Sequence, residues 1–204
     1  MGAGEQVAAY YEENYGIKVA DNMMLGYSEE EKNFAPIIAQ VEASGADGLI
    51  CIGNINPFVL ISKAIADAGL EIPRVANAAL NSNIVLENAG SAANGWYATC
   101  DWFATLDTEV GQKFQENYKA KYGKDTEGTN AVTYDSVYLF KQACEIADST
   151  TDRDAINKAM EKIKDFEGVL GNFNYHEDHT LLDEFYVTQI QDQTVKLVDK
   201  VKYR

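Results

Sequence analysis

Three asparagines, a tryptophan and a pair of histidines are the residues of this 204-residue chain whose types and spacing could do chemistry. Asn54 and Asn56 stand in the run Gly53-Asn54-Ile55-Asn56, Asn77 opens Asn77-Ala78-Ala79-Leu80, and Trp102 sits in Asp101-Trp102-Phe103. Each carboxamide both donates and accepts hydrogen bonds. Trp102 offers a flat apolar ring that can stack on a ligand or line a wall. Local structure offers other uses for the same residues: Asn56 as a helix cap and Asn54 as a turn residue. His176 and His179 flank two carboxylates in Tyr175-His176-Glu177-Asp178-His179, a set that could bind a transition metal. No third ligand follows at a usable spacing, so the stretch reads as a polar surface turn.

Catalytic signals are sparse. The two histidines are the only ones in the chain. There is no Gly-x-Ser-x-Gly elbow and no Gly-x-x-x-x-Gly-Lys phosphate loop. Gly2-Ala3-Gly4 begins like a dinucleotide turn, but Val7 stands where the third glycine belongs and no strand comes before it. Cys51, Cys100 and Cys144 are odd in number and lack metal-type spacing, so they read as small hydrophobic residues. Glu29-Glu30-Glu31 reads as the acidic first turn of a helix rather than a calcium site. No cofactor is implied. An α/β hydrolase remains open as an alternative, and it would depend on His176.

Composition narrows the partners. The net charge is -15, from 32 acidic and 17 basic residues. Such a field repels phosphate backbones, which excludes nucleic acid. Hydrophobic residues make up 46%, enough to bury a core. No apolar run is long enough to span a bilayer. The opening Met1-Gly-Ala-Gly-Glu-Gln has neither the basic nor the apolar region of a secretory signal.

The elements that must position these residues alternate. Residues 4–15 read as a helix and Ile17 to Tyr27 as a strand. Ser28, with Glu31 as its capping-box partner, starts a second helix whose stripe is Phe34, Ile37, Ile38 and Val41, stopping at Gly45. Gly48 to Ile52 is a continuously apolar strand, as in a sheet covered on both faces. Asn56-Pro57 offers an N-cap and first-turn proline for a helix carrying Phe58, Ile61 and Ile65 to Gly69. Strands follow at Arg74 to Ala76 and Trp96 to Phe103. Strand–helix units of about 25–30 residues are the βαβ pattern of a parallel sheet. Ligands of such sheets bind outside the carboxyl ends of the strands. That rule is what singles out Asn54, Ile55, Asn56, Asn77, Ala78, Ala79 and Trp102.

After Phe103 the pattern turns helical. Asp107 caps a helix carrying Val110, Phe114 and Tyr118 and ending near Gly123. The next runs from Asn130 to Ala147 with Val132, Ser136, Leu139, Phe140 and Ala143 inward. A third starts after Thr151, with Asp154 at the capping-box position and Ile156, Met160 and Ile163 on its apolar side. Strands are expected at Gly171 to Tyr175, Glu184 to Ile190 and Thr194 to Val198, the last two joined through Gln191-Asp192-Gln193. Two features suggest an incomplete chain: it opens on a helix, and about 60 helical residues have no intervening strand.

The order of these parts resembles the type I periplasmic binding proteins of branched-chain amino acid ABC transporters. The matching residues are Tyr15-Gly16; Phe34-Ala35-Pro36-Ile37-Ile38; Ala46-Asp47-Gly48-Leu49-Ile50-Cys51-Ile52-Gly53; Ala64-Ile65-Ala66-Asp67-Ala68-Gly69-Leu70 before Ile72-Pro73; Thr133-Tyr134-Asp135-Ser136-Val137-Tyr138; and Gly168-Val169-Leu170-Gly171-Asn172-Phe173-Asn174. The resemblance implies an α/β fold of two lobes that close on a solute. Residues 1–103 with 184–204 would form the C-terminal lobe without its first strand. Residues 104–183 would be the helical part of the N-terminal lobe, whose sheet would be missing. It also implies an extracytoplasmic setting with a transporter permease as partner, and membrane attachment only through an absent N-terminal anchor. An extracellular sensor of the same fold is the second reading. Uncovered apolar faces raise the expectation of a homodimer. Tyr134 matches a family position near the cleft. Where amino-acid-binding members place an acidic residue for the ligand's ammonium, this chain has Asn77-Ala78-Ala79. An aromatic, amide or carboxylate solute is then expected at least as much as an amino acid.

Overall fold

The computed structural model describes residues 3–20, 23–103 and 108–202. Its central sheet has five strands in the order β1 (Leu49–Cys51), β2 (Arg74–Ala76), β3 (Tyr97–Cys100), β6 (Glu184–Gln191) and β7 (Thr194–Lys202). The first three are parallel, with Cys51 opposite Ala76 and Ala76 opposite Ala98. β6 runs the other way: the Ile190 N–H donates to the Trp96 carbonyl at 2.9 Å, and the Thr188 hydroxyl donates to the Ala98 carbonyl at 3.2 Å. A short antiparallel pair, β4 (Phe166–Glu167) and β5 (Asn172–Phe173), stands apart. The fold is thus mixed α/β with a mostly parallel central sheet. Its described helices are α1 (Ala3–Tyr15), α2 (Ala35–Ser44), α3 (Ile55–Ala68), α4 (Asn83–Ala89), α5 (Glu109–Tyr122), α6 (Gly128–Ala147) and α7 (Arg153–Met160).

The chain divides into two compact units. The first is Met1–Thr99 with Thr188–Lys196, the second Cys100–Val187 with Leu197–Arg204. In the first, α2 lays Phe34, Ile38 and Val41 inward and α3 lays Phe58, Ile61 and Ile65 inward, at the spacing expected of one-sided helices. Phe34, Ile38, Phe58, Ile61 and Ile65 meet Leu80, Val85, Trp96 and Ile190 in one buried core. Gly45 and Gly69 stop α2 and α3 in left-handed conformations that a Cβ would disfavour. In the second unit, α5, α6 and α7 bury Phe114, Leu139, Ala143 and Ile156, and Ile163 is buried just beyond α7.

Several expectations are corrected. The described part of residues 17–27 forms no strand, and β1 remains at the edge of the sheet. Alternating apolar residues become a strand only when a neighbour supplies ladder hydrogen bonds. Ser28 starts a turn rather than a helix: its hydroxyl accepts the Glu30 N–H at 3.1 Å. α2 begins at Ala35 because Pro36, which has no N–H, fits the first turn and would break a helix interior. α3 begins at Ile55 with Asn54 as N-cap, so Asn56 lies inside the helix. β1 is not covered on both faces, since Ile50 is 46% exposed. Asp107 lies outside the described residues, and the Thr108 hydroxyl caps α5 by accepting the Gly111 N–H at 3.1 Å. Asp152, not a Thr151–Asp154 box, caps α7 through the Ala155 N–H at 3.0 Å. On α6 the inward stripe is Ala131, Asp135, Leu139 and Ala143, while Val132, Ser136 and Phe140 face outward. The β6–β7 hairpin turns at Asp192 and Gln193, both with positive φ (49° and 59°), which suits the twist of its strands.

Candidate functional site

The first unit gathers its polar loops at the carboxyl ends of β1 and β2. β1 ends at Cys51, and the chain turns through Ile52 and Gly53 into Asn54 at the head of α3. β2 ends at Ala76, and Asn77 leads into a 3-10 turn over Ala78–Asn81. A hydrogen bond joins the two loops: the Gly53 N–H donates to Asn77 Oδ1 at 3.1 Å. Neither asparagine uses its side chain to cap the helix that follows it. Asn54 instead donates its amide to the Glu29 carboxylate. Asn54, Asn56 and Ala78 are exposed, and Ile55, Asn77 and Ala79 are half-buried.

Tyr27 supports this edge from beneath. Its hydroxyl donates to the Ile52 carbonyl at 3.0 Å and lies 4.0 Å from the Cys51 sulfur. Its ring packs edge-on to Phe34. Gly53 is required by that packing, since a Cβ there would stand 2.0 Å from the Tyr27 oxygen. Burial is the main cause that drives the Tyr27 hydroxyl upward in pKa, with Cys51 and Glu29 adding to it. Burial also pushes the Cys51 thiol up to about 11. Both groups are therefore neutral near pH 7, and the buried thiol lacks the lowered pKa of a nucleophile. Sequence reasoning did not single out Tyr27, whose hydroxyl partner is 25 residues away.

Of the expected site residues, the structure thus brings Asn54, Ile55, Asn56, Asn77, Ala78 and Ala79 to one edge of the first unit. Trp102 and Tyr134 belong to the second unit, where both contact Phe114, at ring separations of 6.4 Å and 4.9 Å. Trp102 is buried, and its indole N–H has no partner among the described residues. Tyr134 is exposed, its hydroxyl 3.4 Å from that of Tyr138.

The second unit also holds a buried carboxylate that the sequence reading did not single out. Asp135, 2% exposed, accepts the Val169 N–H on Oδ1 and the Leu170 N–H on Oδ2, both at 2.9 Å. Gly168 and Gly171 bond each other across the same turn. A Cβ on Gly168 would come within 2.6 Å of both the Asp135 carboxylate and the Phe173 ring. Burial pushes the Asp135 carboxyl up in pKa, and the two N–H groups pull it back. Next to it lies a cavity of about 560 Å³ lined by Leu139, Leu170, Phe173, Phe185 and Asp101 among others. Its lining includes none of the expected site residues. Burial raises the Asp101 pKa, opposed by N–H bonds from Asp101 and Trp102.

The histidine stretch folds as a turn. His176 Nε2 pairs with Asp183 at 2.5 Å, and Tyr175 bonds His179. Among the described residues no group of three or more His, Cys, Asp or Glu could hold a metal ion.

Comparison with known proteins agrees with this architecture. A Leu/Ile/Val-binding protein homolog 1 from Brucella suis is 28% identical over 159 residues, covering 74% of this chain and 40% of its own length. The chain thus spans about two fifths of the curated relatives it matches. A solute binding protein from R. palustris solved with 4-hydroxybenzoate has a TM-score of 0.86 at 19% identity, over 97% of this chain and 56% of that one. A leucine binding protein from Thermotoga maritima has a TM-score of 0.79 at 23% identity, over 87% of this chain and 51% of that one. These two likenesses are of fold. The sequence profile of periplasmic binding proteins matches residues 2–194. With nearly its whole length matched, this chain belongs to the periplasmic binding protein family, a family of substrate-binding proteins that are not enzymes.

Proposed function

We propose that the protein captures a small organic solute outside the cytoplasmic membrane and delivers it to an ABC-transporter permease. The observation that supports this most is the cluster at the carboxyl edge of the first unit, where the Gly53–Asn77 hydrogen bond joins the loops after β1 and β2. Open parallel sheets present ligands at that edge. Asn54, Ile55, Asn56, Asn77, Ala78 and Ala79 are the residues we assign to solute contact. They mix polar and apolar groups, as sites for small organic molecules do. Family membership supports the transport role. In this reading residues 1–103 with 184–204 form one lobe and residues 104–183 belong to another.

Isothermal titration calorimetry on the protein expressed from its whole reading frame tests the reading. A panel of amino acids, aromatic acids and amides is expected to include a saturable ligand. Asn77→Ala is expected to weaken its binding by at least about tenfold, the loss of one good hydrogen bond. A panel with no ligand, or a ligand indifferent to every substitution at this edge, overturns it.

A further inference from the structure

We infer that the cavity of the second unit is a binding site of its own, for a small primary amine with an apolar body, and that Asp101 holds the ammonium group. The inference does not rest on solute capture by the first unit, because the lining includes none of the residues assigned to that role. The cavity measures about 560 Å³, and every residue on its lining belongs to the second unit. Pockets for small organic molecules have this size. Leu139, Leu170, Phe173, Leu181 and Phe185 make most of the wall apolar. A hydrocarbon or aryl group held there is removed from water, which favours binding.

The polar side chains on the lining select the charge of the occupant. The Ser136 hydroxyl donates to the Val132 carbonyl and the Thr180 hydroxyl to the Asp178 carboxylate, both at 2.7 Å. With their hydrogens committed, these oxygens can only accept. Asp135 and Asp101 add two carboxylates to the same lining. Each Asp135 oxygen already takes a backbone N–H. Asp101 is half-buried and takes the N–H groups of its own backbone and of Trp102. Among the described residues no lysine, arginine or histidine pairs with it. Burial therefore raises its pKa, since the charged form is short of water and has no cation beside it. An ammonium supplies both the missing charge and N–H donors. An anion would face two carboxylates and no side-chain donor. A zwitterion would carry its own carboxylate to the same wall, so the occupant is an amine without one.

The test is calorimetry on the protein expressed from its whole reading frame, with benzylamine and its uncharged counterpart benzyl alcohol near neutral pH. Benzylamine is expected to bind saturably and at least about tenfold more tightly than the alcohol, as a charge-assisted contact does against a neutral one. Asp101→Asn keeps an acceptor for the two backbone N–H groups and removes the charge. It is expected to weaken benzylamine by at least about tenfold with a thermal melt close to that of the parent. Ser136 lies on the exposed side of α6. Ser136→Phe fills the cavity from there and is expected to lose benzylamine binding with the melt retained. Asp199→Asn removes an exposed charge away from the cavity and is expected to stay within about twofold of the parent. No saturable binding of benzylamine overturns the inference, as does equal binding of the alcohol. So does binding that survives Asp101→Asn or Ser136→Phe. A loss in Asp199→Asn equal to that in Asp101→Asn also overturns it, because net charge would then be the cause.

Discussion

Asn77 in the first unit and Asp135 in the second perform the same elementary act, since each accepts a backbone N–H from a loop distant in sequence. They differ in what is left over. Asp135 is buried and both its oxygens are taken, by Val169 and Leu170. Asn77 is half-buried, with its oxygen engaged by Gly53 and no bond from its Nδ2 among the described residues. A polar group fully satisfied in the interior holds a fold together, because removing it strands donors that water cannot reach. A polar group half satisfied at an edge still has hydrogen bonds to offer. The contrast separates a residue that builds the scaffold from one that we propose meets a ligand.

Substitutions can break or sharpen that contrast. Asp135→Ala is expected to have the largest effect, a stability loss of about 4 kcal/mol by chemical denaturation, because two buried N–H groups lose charged acceptors. Next is Leu139→Ala on the inward stripe of α6, expected to lose about 3 kcal/mol through the cavity it leaves. Its neighbour Phe140, 55% exposed, should change stability by no more than about 0.5 kcal/mol when replaced by alanine. Equal losses at the two positions would restore the stripe expected from sequence. Gly53→Ala should cost about 1–2 kcal/mol, because its Cβ displaces the Tyr27 hydroxyl. In a Tyr27→Phe background the loss should shrink, and a double-mutant cycle measures the difference. The smallest change in stability belongs to Asn77→Ala, about 1 kcal/mol or less for one neutral hydrogen bond. If it rivals Asp135→Ala, Asn77 is scaffold and the contrast fails.

Much of the first unit was legible because its signals are local. The Phe34–Ile38–Val41 and Phe58–Ile61–Ile65 stripes, the strand at Arg74–Ala76 and the stops at Gly45 and Gly69 are each written within a few residues. Local signals mislead where two rules compete: Pro36 delays α2 past Ser28. In the second unit the apolar residues Val132 and Phe140 suggested a stripe one position away from the real one. Asp135 turns inward because the Val169 and Leu170 N–H groups await it, and nothing near Asp135 in the sequence announces them. The candidate edge was found through a topological rule about strand ends, which gave its residues but not their orientation.

The sequence by itself determined where α2 and α3 stop, which of their faces turns inward, and which asparagines stand at the strand ends. These follow from sterics and hydrogen bonds spanning at most one or two helical turns. Tertiary structure alone decided that the described part of residues 17–27 forms no strand, that Asp135 is buried, and that Asn77 gives its side-chain oxygen to the Gly53 N–H. Each of those outcomes depends on a partner supplied from elsewhere in the chain, about 24 residues away for Asn77 and 34 for Asp135. Only the folded chain brings such partners within hydrogen-bonding distance.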